Sequence, residues 1–302
     1  MTTATERAYR EYRTLSFSIA YRMTGSVSEA EDIVQESFLR FHRATQNGLS
    51  IESPRAFLTT VTTRLAIDHM RSAKARRETY FGPWLPEPLI TSNAPELELA
   101  EMVDSLSLSF FVLLERLTPV ERAVFLLREV FGYDYQEIAK IVGKSQANCR
   151  QLFARGRQHI DEAKPRFTAT KEEQQALAHR FFDAAQHGDV DGLMKLLASD
   201  VALYGDGGGK GRGLPQPLFG AERVHRFLAT GIFGKFAQYG VRMQRTEING
   251  APGALFVDAE NRLINAFVLE IAGGAVQTVR SIINPDKLTH LGYPLSPLAT
   301  RP

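Results

Sequence analysis

A cluster of polar side chains between residues 144 and 157 combines amide groups with cationic ones. Asparagine, glutamine and arginine offer the paired hydrogen-bonding groups that read base edges, and lysine and arginine also hold phosphates. Recognition of DNA is the chemistry that fits this cluster best, although a solvated basic helix would have the same composition. The candidate contacts are Lys144, Gln146, Asn148, Arg150, Gln151, Arg155 and Arg157.

The segment around this cluster predicts a helix-turn-helix. The pair Thr118-Pro119 is typical of the cap and first position of a helix, and Tyr135–Ile141 predicts a second, short helix. Gly143 suits the tight turn, and Ser145 is the expected cap of a third helix, which we expect in the major groove. The buried stripe of that helix is predicted to hold Cys149, Leu152, Phe153, Gly156 and Ile160.

A second basic stripe lies in a predicted helix that has Pro54 in its first turn. The segment that holds these cations contains a single acid, Asp68, and such a stripe suits binding to a phosphate backbone. A charge run of this kind is also often only a solvated helix face. The helix before it is acidic, and Ser28 is predicted to open that helix with a capping box. The basic residues are Arg64, Arg71, Lys74, Arg76 and Arg77.

A proline-rich segment separates the two basic blocks. From Glu78 to Asp104 the chain has six acids and no lysine or arginine. Trp84, the only tryptophan, stands among prolines, where it is either an anchor buried in a groove or part of an ordinary semi-rigid spacer.

The chain changes character after residue 172. We expect a helix over Gln175–Leu197, followed by strands of an antiparallel sheet at 201–205, 241–248, 254–258, 263–271 and 275–283. The glycine-rich stretch 206–210 is not a phosphate-binding loop, because glycine and not serine or threonine follows Lys210. The stretch 241–283 has no histidine and few acids, so we expect no catalytic residues.

Composition limits the other classes of protein. The 302 residues suggest several domains, and a net charge of +2 means that only the distribution of charge points to nucleic acid. One cysteine excludes a disulfide within the chain, and we expect neither metal nor cofactor. No apolar run is long enough for a membrane helix and no signal peptide opens the chain, so the expected location is cytoplasmic.

These segments together resemble a known family. Residues 117–160 are similar to region 4 of extracytoplasmic-function sigma factors, which binds the −35 promoter element. Residues 20–43 and 53–78 resemble region 2, which binds core RNA polymerase and the −10 element. The last block is similar to SnoaL-like domains, which share the cone-shaped α+β fold of nuclear transport factor 2. The resemblance implies two all-α domains followed by an α+β cone.

The resemblance also implies roles and boundaries. Region 2 would span 1–79, an acidic linker 80–100, region 4 101–165 and a regulatory SnoaL-like domain 170–302. The basic residues of the second stripe would bind the −10 element, and Asp32, Gln35 and Glu36 would bind polymerase. Regulatory contacts are expected from Trp84 and from two motifs, Asp206, Gly207, Gly208, Gly209 and Lys210, and Asn284, Pro285, Asp286 and Lys287.

Three functions remain open at this point. The leading one is a monomeric initiation factor that works with core RNA polymerase and promoter DNA, regulated by its own last domain. The second is a one-component regulator that binds an operator without polymerase and senses an unknown small ligand in the cone. The third is an isomerase or cyclase with a DNA-binding appendage, which the sparse acid and base groups argue against.

Overall fold

The structure, a computed structural model, describes residues 4–78, 80–92, 104–161 and 169–300. These residues form two compact units. The first unit contains residues 4–78 and 104–161, and the second contains 80–92 and 169–300.

The first half of unit 1 is three long helices. They are α1 (Ala4–Thr24), α2 (Val27–Gln46) and α3 (Pro54–Glu78). The expectation that Ser28 caps α2 is wrong: the cap is Ser26, whose side chain accepts a hydrogen bond from the backbone of Glu29. Val27 is already helical, and its buried side chain belongs to the core, so the helix begins earlier than the acidic pattern suggested.

The second half of unit 1 contains the predicted helix-turn-helix. After α4 (Leu108–Leu114), Thr118 caps α5 (Pro119–Phe125) as the sequence predicted. Glu121 completes a capping box with it, and a π-helical turn, Leu126–Val130, follows. The last two helices are α6 (Tyr135–Val142) and α7 (Gln146–Asp161). Gly143 has a left-handed φ of 67° at the turn, and Ser145 Oγ accepts from the backbone of Asn148.

The helical part of unit 2 differs from the single helix that we expected over Gln175–Leu197. The structure has two helices, α8 (Lys171–His187) and α9 (Val190–Leu196). Gly188 adopts a left-handed φ of 67° and ends α8, and Asp189 caps α9. A short helical segment follows later, with α10 (Ala221–Arg226) and α11 (Phe236–Tyr239) joined by π-helical and 3₁₀ turns.

A six-stranded sheet forms the rest of the cone. Its order is β2-β1-β6-β5-β4-β3, and the expectation of an antiparallel sheet is wrong for one pair, because β1 and β6 run parallel. Strands β2 to β5 and the helices between them separate β1 from β6 in the chain, so no hairpin joins these two strands or dictates their direction. The strands are β1 (Leu197–Asp206), β2 (Leu218–Phe219), β3 (Arg242–Ile248), β4 (Ala251–Val257), β5 (Leu263–Ala272) and β6 (Ala275–Ile282).

The segment that sequence analysis treated as a linker is built into unit 2 over its described part. Residues 80–92 belong to the same compact unit as the cone. Leu89 and Asn249 exchange two hydrogen bonds, at 2.9 Å and 2.8 Å, and the backbone of Thr91 donates to Glu247 O at 2.9 Å. The segment therefore extends the edge of the sheet beyond β3 instead of acting as a solvated spacer. Of the six acids between Glu78 and Asp104, only the side chain of Glu87 is among the described ones, and it is buried.

Candidate functional site

Helix α7 presents the polar face that the sequence predicted. Its apolar stripe is buried at Cys149, Leu152, Gly156 and Ile160, and Phe153 is half-buried. All seven candidate DNA-contacting residues are exposed: Lys144, Gln146, Asn148, Arg150, Gln151, Arg155 and Arg157. One side of the helix thus packs on α5 and α6, and the other side is available to a nucleic acid.

Two of these arginines are oriented by neighbours. The guanidinium of Arg150 lies 5.3 Å from the ring centroid of Tyr135, which also receives Arg128 at 5.1 Å. Arg155 Nε is 3.6 Å from Glu121 Oε1, a carboxylate that is mostly buried in the capping box of α5. Sequence analysis placed Tyr135 in a helix but did not predict its contacts with Arg150 and Arg128. The only signal for those contacts was the position of Tyr135 at the start of α6.

The basic stripe of α3 divides into three groups. Arg64 donates from Nε to the carbonyl of Ile141 at 2.8 Å and from Nη2 to that of Lys140 at 2.9 Å, so it caps the end of α6 within unit 1. Arg71 pairs with Asp68 on its own helix at 3.2 Å and stays exposed. Lys74, Arg76 and Arg77 lie in the last turns of α3, where the side chains are outside the described residues.

The three candidate polymerase contacts share a face of α2. Asp32 and Gln35 are exposed, and Glu36 is half-buried. Glu36 accepts a hydrogen bond from Arg40 at 2.7 Å, and this bond lowers the pKa of its carboxyl below the ordinary value. The face is therefore anionic at neutral pH.

An apolar groove adjoins that acidic face, which sequence analysis did not predict. It lies between α1 and α2 and includes Gln35, Phe38, Tyr9 and Leu39. Tyr9 and Leu39 are 43% and 44% exposed, although both are large apolar side chains. Exposed apolar side chains beside charges are a common composition of protein-binding surfaces. The signal of Leu39 in the sequence was hydrophobicity out of phase with the buried stripe of α2.

Four of the predicted regulatory residues meet in one largely buried network within unit 2: Trp84, Asp206, Asn284 and Lys287. Asp206 is fully buried and accepts from the hydroxyl of Tyr80 at 2.5 Å, the backbone of Leu85 at 2.8 Å and Lys287 Nζ at 2.7 Å. Lys287 also donates to the carbonyl of Leu85. Its ammonium lies 4.3 Å from the ring centroid of Trp84, within cation–π distance.

Tyr80 is the residue of this network that sequence analysis missed. Its hydroxyl accepts from Asn284 Nδ2 at 2.8 Å while donating to Asp206. Burial and then the Asp206 carboxylate raise the pKa of Tyr80 far above the ordinary value, so the hydroxyl stays protonated and keeps donating. Tyr80 marked only the edge of the proline-rich segment in the sequence, and nothing local indicated its partner.

The glycines of 206–210 allow close packing around this network. A Cβ on Gly207 would lie 2.5 Å from the backbone of Gly213, and one on Gly208 would lie 2.2 Å from the amide of Asn284. Gly209 has a left-handed φ of 76°. Lys210 and Asp286 form an exposed ion pair at 2.6 Å, and Pro285 opens a 3₁₀ turn after Asn284. The two motifs therefore touch each other.

The cone also encloses a cavity of about 330 Å³. Its walls are mainly apolar, with contributions from β1, β4, β5, β6 and the segment 227–241. The buried polar side chains in the wall are Asn265 and Ser281, and the exposed ones at the rim include Arg212, Lys235 and Tyr239. The cavity lies next to Gly205 and Ile283, the sequence neighbours of Asp206 and Asn284.

Two kinds of feature are absent from the described part of the chain. None of its helices combines the length and the apolarity that crossing a membrane requires. The same residues bring together no group of three His, Cys, Asp or Glu side chains suited to a metal ion.

Comparisons with known proteins agree with this geometry. The family model of sigma-70 region 2 matches residues 8–76, and that of sigma-70 region 4 matches residues 108–160. The ECF RNA polymerase sigma factor SigJ of Mycobacterium tuberculosis (strain ATCC 25618 / H37Rv) is 36% identical over 299 residues, covering 94% of this chain and 93% of SigJ. SigG of Mycobacterium tuberculosis (strain CDC 1551 / Oshkosh) is 29% identical over 214 residues, covering 63% of this chain and 58% of SigG.

The similarity to a solved structure extends over nearly the whole chain. That structure is the crystal structure of Mycobacterium tuberculosis extracytoplasmic function sigma factor SigJ, with a TM-score of 0.73 and 33% identity over 95% of this chain and 99% of SigJ. A helical pair of sigma regions and a SnoaL-like cone define a sigma factor with a fused C-terminal domain. The chain belongs to the extracytoplasmic-function sigma factors of RNA polymerase, a family of initiation factors and not of enzymes.

Proposed function

We propose that this chain brings core RNA polymerase to promoters by reading the −35 element with α7 and the −10 element with the basic side of α3. The observation that carries the proposal is the exposed face of α7, where amide and guanidinium groups stand beside phosphate-binding cations. The acidic side of α2 and the groove beside it are the proposed polymerase surface. The chain would act as a monomer, because asymmetric promoter elements require no two-fold partner. Its proposed location is the cytoplasm.

We also propose that the cone modulates initiation through the segment that joins regions 2 and 4. Residues 80–92 are fastened to the cone by Asp206 and Lys287, and the chain between the two DNA-reading helices passes through this segment. Fastening it shortens the free chain between the two helices, and promoter binding requires a particular spacing between them. The bias must amount to a few kcal/mol, since a larger gap could not be reversed by polymerase or a ligand.

Contacts between regions 2 and 4 within unit 1 support a resting state in which the two DNA-reading parts are held together. Arg64, a proposed −10 contact, donates both of its hydrogen bonds to α6, and Thr59 Oγ1 lies 3.0 Å from the hydroxyl of Tyr133. Contact with the −10 element through Arg64 would require these bonds to break. The compact arrangement is therefore proposed as the resting state.

No catalytic step is proposed for the cone. The side chains that line its cavity, among the described residues, include no histidine and no carboxylate, which are the usual general acids and bases. The cone is instead proposed as a binding and regulatory domain.

The experiment is run-off transcription with purified core polymerase. The full chain is compared with chains that end near Pro165 or just before Asn284, and with a full-length chain carrying Asp206→Asn and Lys287→Met. The exposed pair, Lys210→Gln with Asp286→Asn, is the matched control. We expect polymerase-dependent transcription and a several-fold change in at least one of the first three variants. Promoter binding without polymerase would instead indicate a one-component regulator, and equal activity of all the chains would remove the regulatory role.

A further inference from the structure

The cavity of the cone has the size and shape of a small-molecule site. Its volume of about 330 Å³ lies at the lower end of the range that ligand cavities occupy, about 300–1,000 Å³. Side chains such as Leu203, Phe227, Phe236 and Phe256 make its walls largely apolar. A cavity of this kind favours an occupant with a compact apolar body over a fully polar one.

A single buried amide in the wall of the cavity creates a requirement for a hydrogen-bond donor. Asn265 is 4% exposed and donates from Nδ2 to Ser281 Oγ at 2.8 Å. Its Oδ1 has no hydrogen-bond partner among the described residues. A buried carbonyl oxygen without a partner is costly. Because this oxygen has almost no accessible surface, a hydroxyl or N–H on an occupant would satisfy it once the amide turns toward the cavity.

The exposed rim of the cavity favours a negative charge on the occupant. Arg212 and Lys235 line the cavity and are exposed, and Tyr239 lies beside them with 40% exposure. The described lining residues include no carboxylate. Two cations at the entrance of an apolar cavity favour an anionic group on the outer end of the occupant.

We propose that this cavity binds a small apolar monoanion, such as an aromatic carboxylate, that carries a hydrogen-bond donor at the end opposite its charge. The donor meets Asn265 Oδ1, the apolar body fills the cone, and the anion lies at Arg212 and Lys235. The biological meaning rests on the proposed regulatory function, because the occupant would touch Gly205 and Ile283. These residues adjoin Asp206 and Asn284, which hold the segment 80–92. Binding itself does not depend on that function.

Isothermal titration calorimetry on the full-length chain, without polymerase, tests the site. The probe is para-hydroxycinnamate, which has a hydroxyl and a carboxylate at opposite ends. Cinnamate lacks the hydroxyl, and para-hydroxycinnamyl alcohol lacks the charge. We expect para-hydroxycinnamate to bind the wild-type chain tighter than either comparison compound, by about fivefold to tenfold for each group removed.

Three variants assign those preferences to residues. Asn265→Leu should remove the preference for the hydroxyl and leave the preference for the charge, and Arg212→Gln with Lys235→Gln should do the reverse. Arg223→Gln, an exposed cation that does not line the cavity, should bind as the wild type does. Ile264→Trp fills the cavity and should abolish binding of all three compounds, with circular dichroism confirming that the chain is folded.

Several results would overturn the proposal. The first is that para-hydroxycinnamate does not bind at millimolar concentration, and the second is that it binds folded Ile264→Trp as well as the wild type. The third is that the preference for the hydroxyl survives in Asn265→Leu, or that the preference for the charge survives in the rim variant. Should Ile264→Trp fail to fold, the Asn265 and rim variants still decide. Binding with the expected preferences, together with transcription that ignores removal of the cone, would keep the site and reject the regulatory function. Absence of binding, together with transcription that changes when the cone is removed, would reject the site and keep the regulatory function.

Discussion

The ammonium of Lys287 and the carboxylate of Asp206 form a buried ion pair at 2.7 Å, with 9% and 0% of the two side chains exposed. Each partner also bonds the backbone of Leu85, one to its carbonyl and the other to its N–H. The pair therefore closes a ring around one residue of the segment between the two sigma regions. Desolvation makes each charge depend on the other, so losing one partner costs far more than losing an exposed pair.

The first prediction concerns this pair. Asp206→Asn leaves Lys287 as an uncompensated buried charge, and we expect unfolding of unit 2 to become easier by about 3–5 kcal/mol. Denaturant unfolding followed by circular dichroism measures the loss. Trp84 lies 4.3 Å from Lys287 Nζ, so the fluorescence of this only tryptophan should shift to the red in native buffer.

The exposed ion pair between Lys210 and Asp286, which respectively follow Asp206 and precede Lys287 in their motifs, provides the control. Lys210 and Asp286 are 63% and 60% exposed at 2.6 Å, so Lys210→Gln should change stability by less than about 1 kcal/mol. A similarly small effect of Asp206→Asn, with unchanged Trp84 emission, would contradict the role of the ring in holding the segment.

Local chemistry made part of this molecule predictable. Thr118 and Ser145 cap their helices, and the face of α7 is exposed as expected, because capping and helical periodicity act within a few residues. The parallel pairing of β1 with β6 and the docking of Tyr80 on Asp206 depend on residues far apart in the sequence. Neither leaves a periodic signal. The motifs around Asp206 and Asn284 could be singled out by resemblance, but their shared partner could not.

Reading of the −35 element is the second prediction. Arg150 is exposed, and its guanidinium lies 5.3 Å from the ring centroid of Tyr135 at the start of α6. Arg150→Ala in the polymerase complex should weaken promoter binding by about 1–3 kcal/mol and reduce discrimination at one base pair. Titration of promoters mutated one position at a time measures both effects. Arg223→Ala in the cone is the control, and unchanged affinity with Arg150→Ala would reject the base contact.

The third prediction concerns polymerase. Asp32 and Glu36 lie one turn apart on α2, and Asp32→Lys with Glu36→Lys should weaken binding of core polymerase by at least about tenfold, as charge complementarity becomes repulsion. Competition for core polymerase with the wild-type chain measures the change. The double variant Asp191→Lys with Glu222→Lys makes the same change in charge at exposed sites of the cone and should compete normally. Normal competition by the α2 variant would place the interface elsewhere.

The fourth prediction concerns the stability of unit 2 in acid, where Asp258 accepts hydrogen bonds from Ser296 and Arg262. Burial raises the pKa of Asp258, but hydrogen bonds from Ser296 and Arg262 outweigh it, and the net pKa lies below the ordinary value of 3.8. The stabilisation from this carboxylate is therefore complete above pH 3.8 and is lost as pH falls through the lower folded-state pKa. Asp258→Asn should flatten this part of the stability profile. A profile with the same acid limb in the variant would assign the effect to other carboxylates.

The last prediction tests the contact between the two sigma regions. Arg64 is exposed but donates to the carbonyls of Ile141 and Lys140 at 2.8 Å and 2.9 Å, where the end of α6 leaves backbone acceptors without helical partners. Arg64→Ala should cost this contact about 1 kcal/mol, and amide hydrogen exchange near the end of α6 should accelerate about fivefold. Arg71→Ala is the matched control, because Arg71 pairs only with Asp68 of its own helix among the contacts described. If Arg64 also binds the −10 element, its variant should weaken promoter binding as well, whereas a purely structural role would change exchange alone. Equal exchange in the two variants would show that Arg64 does not hold the compact arrangement.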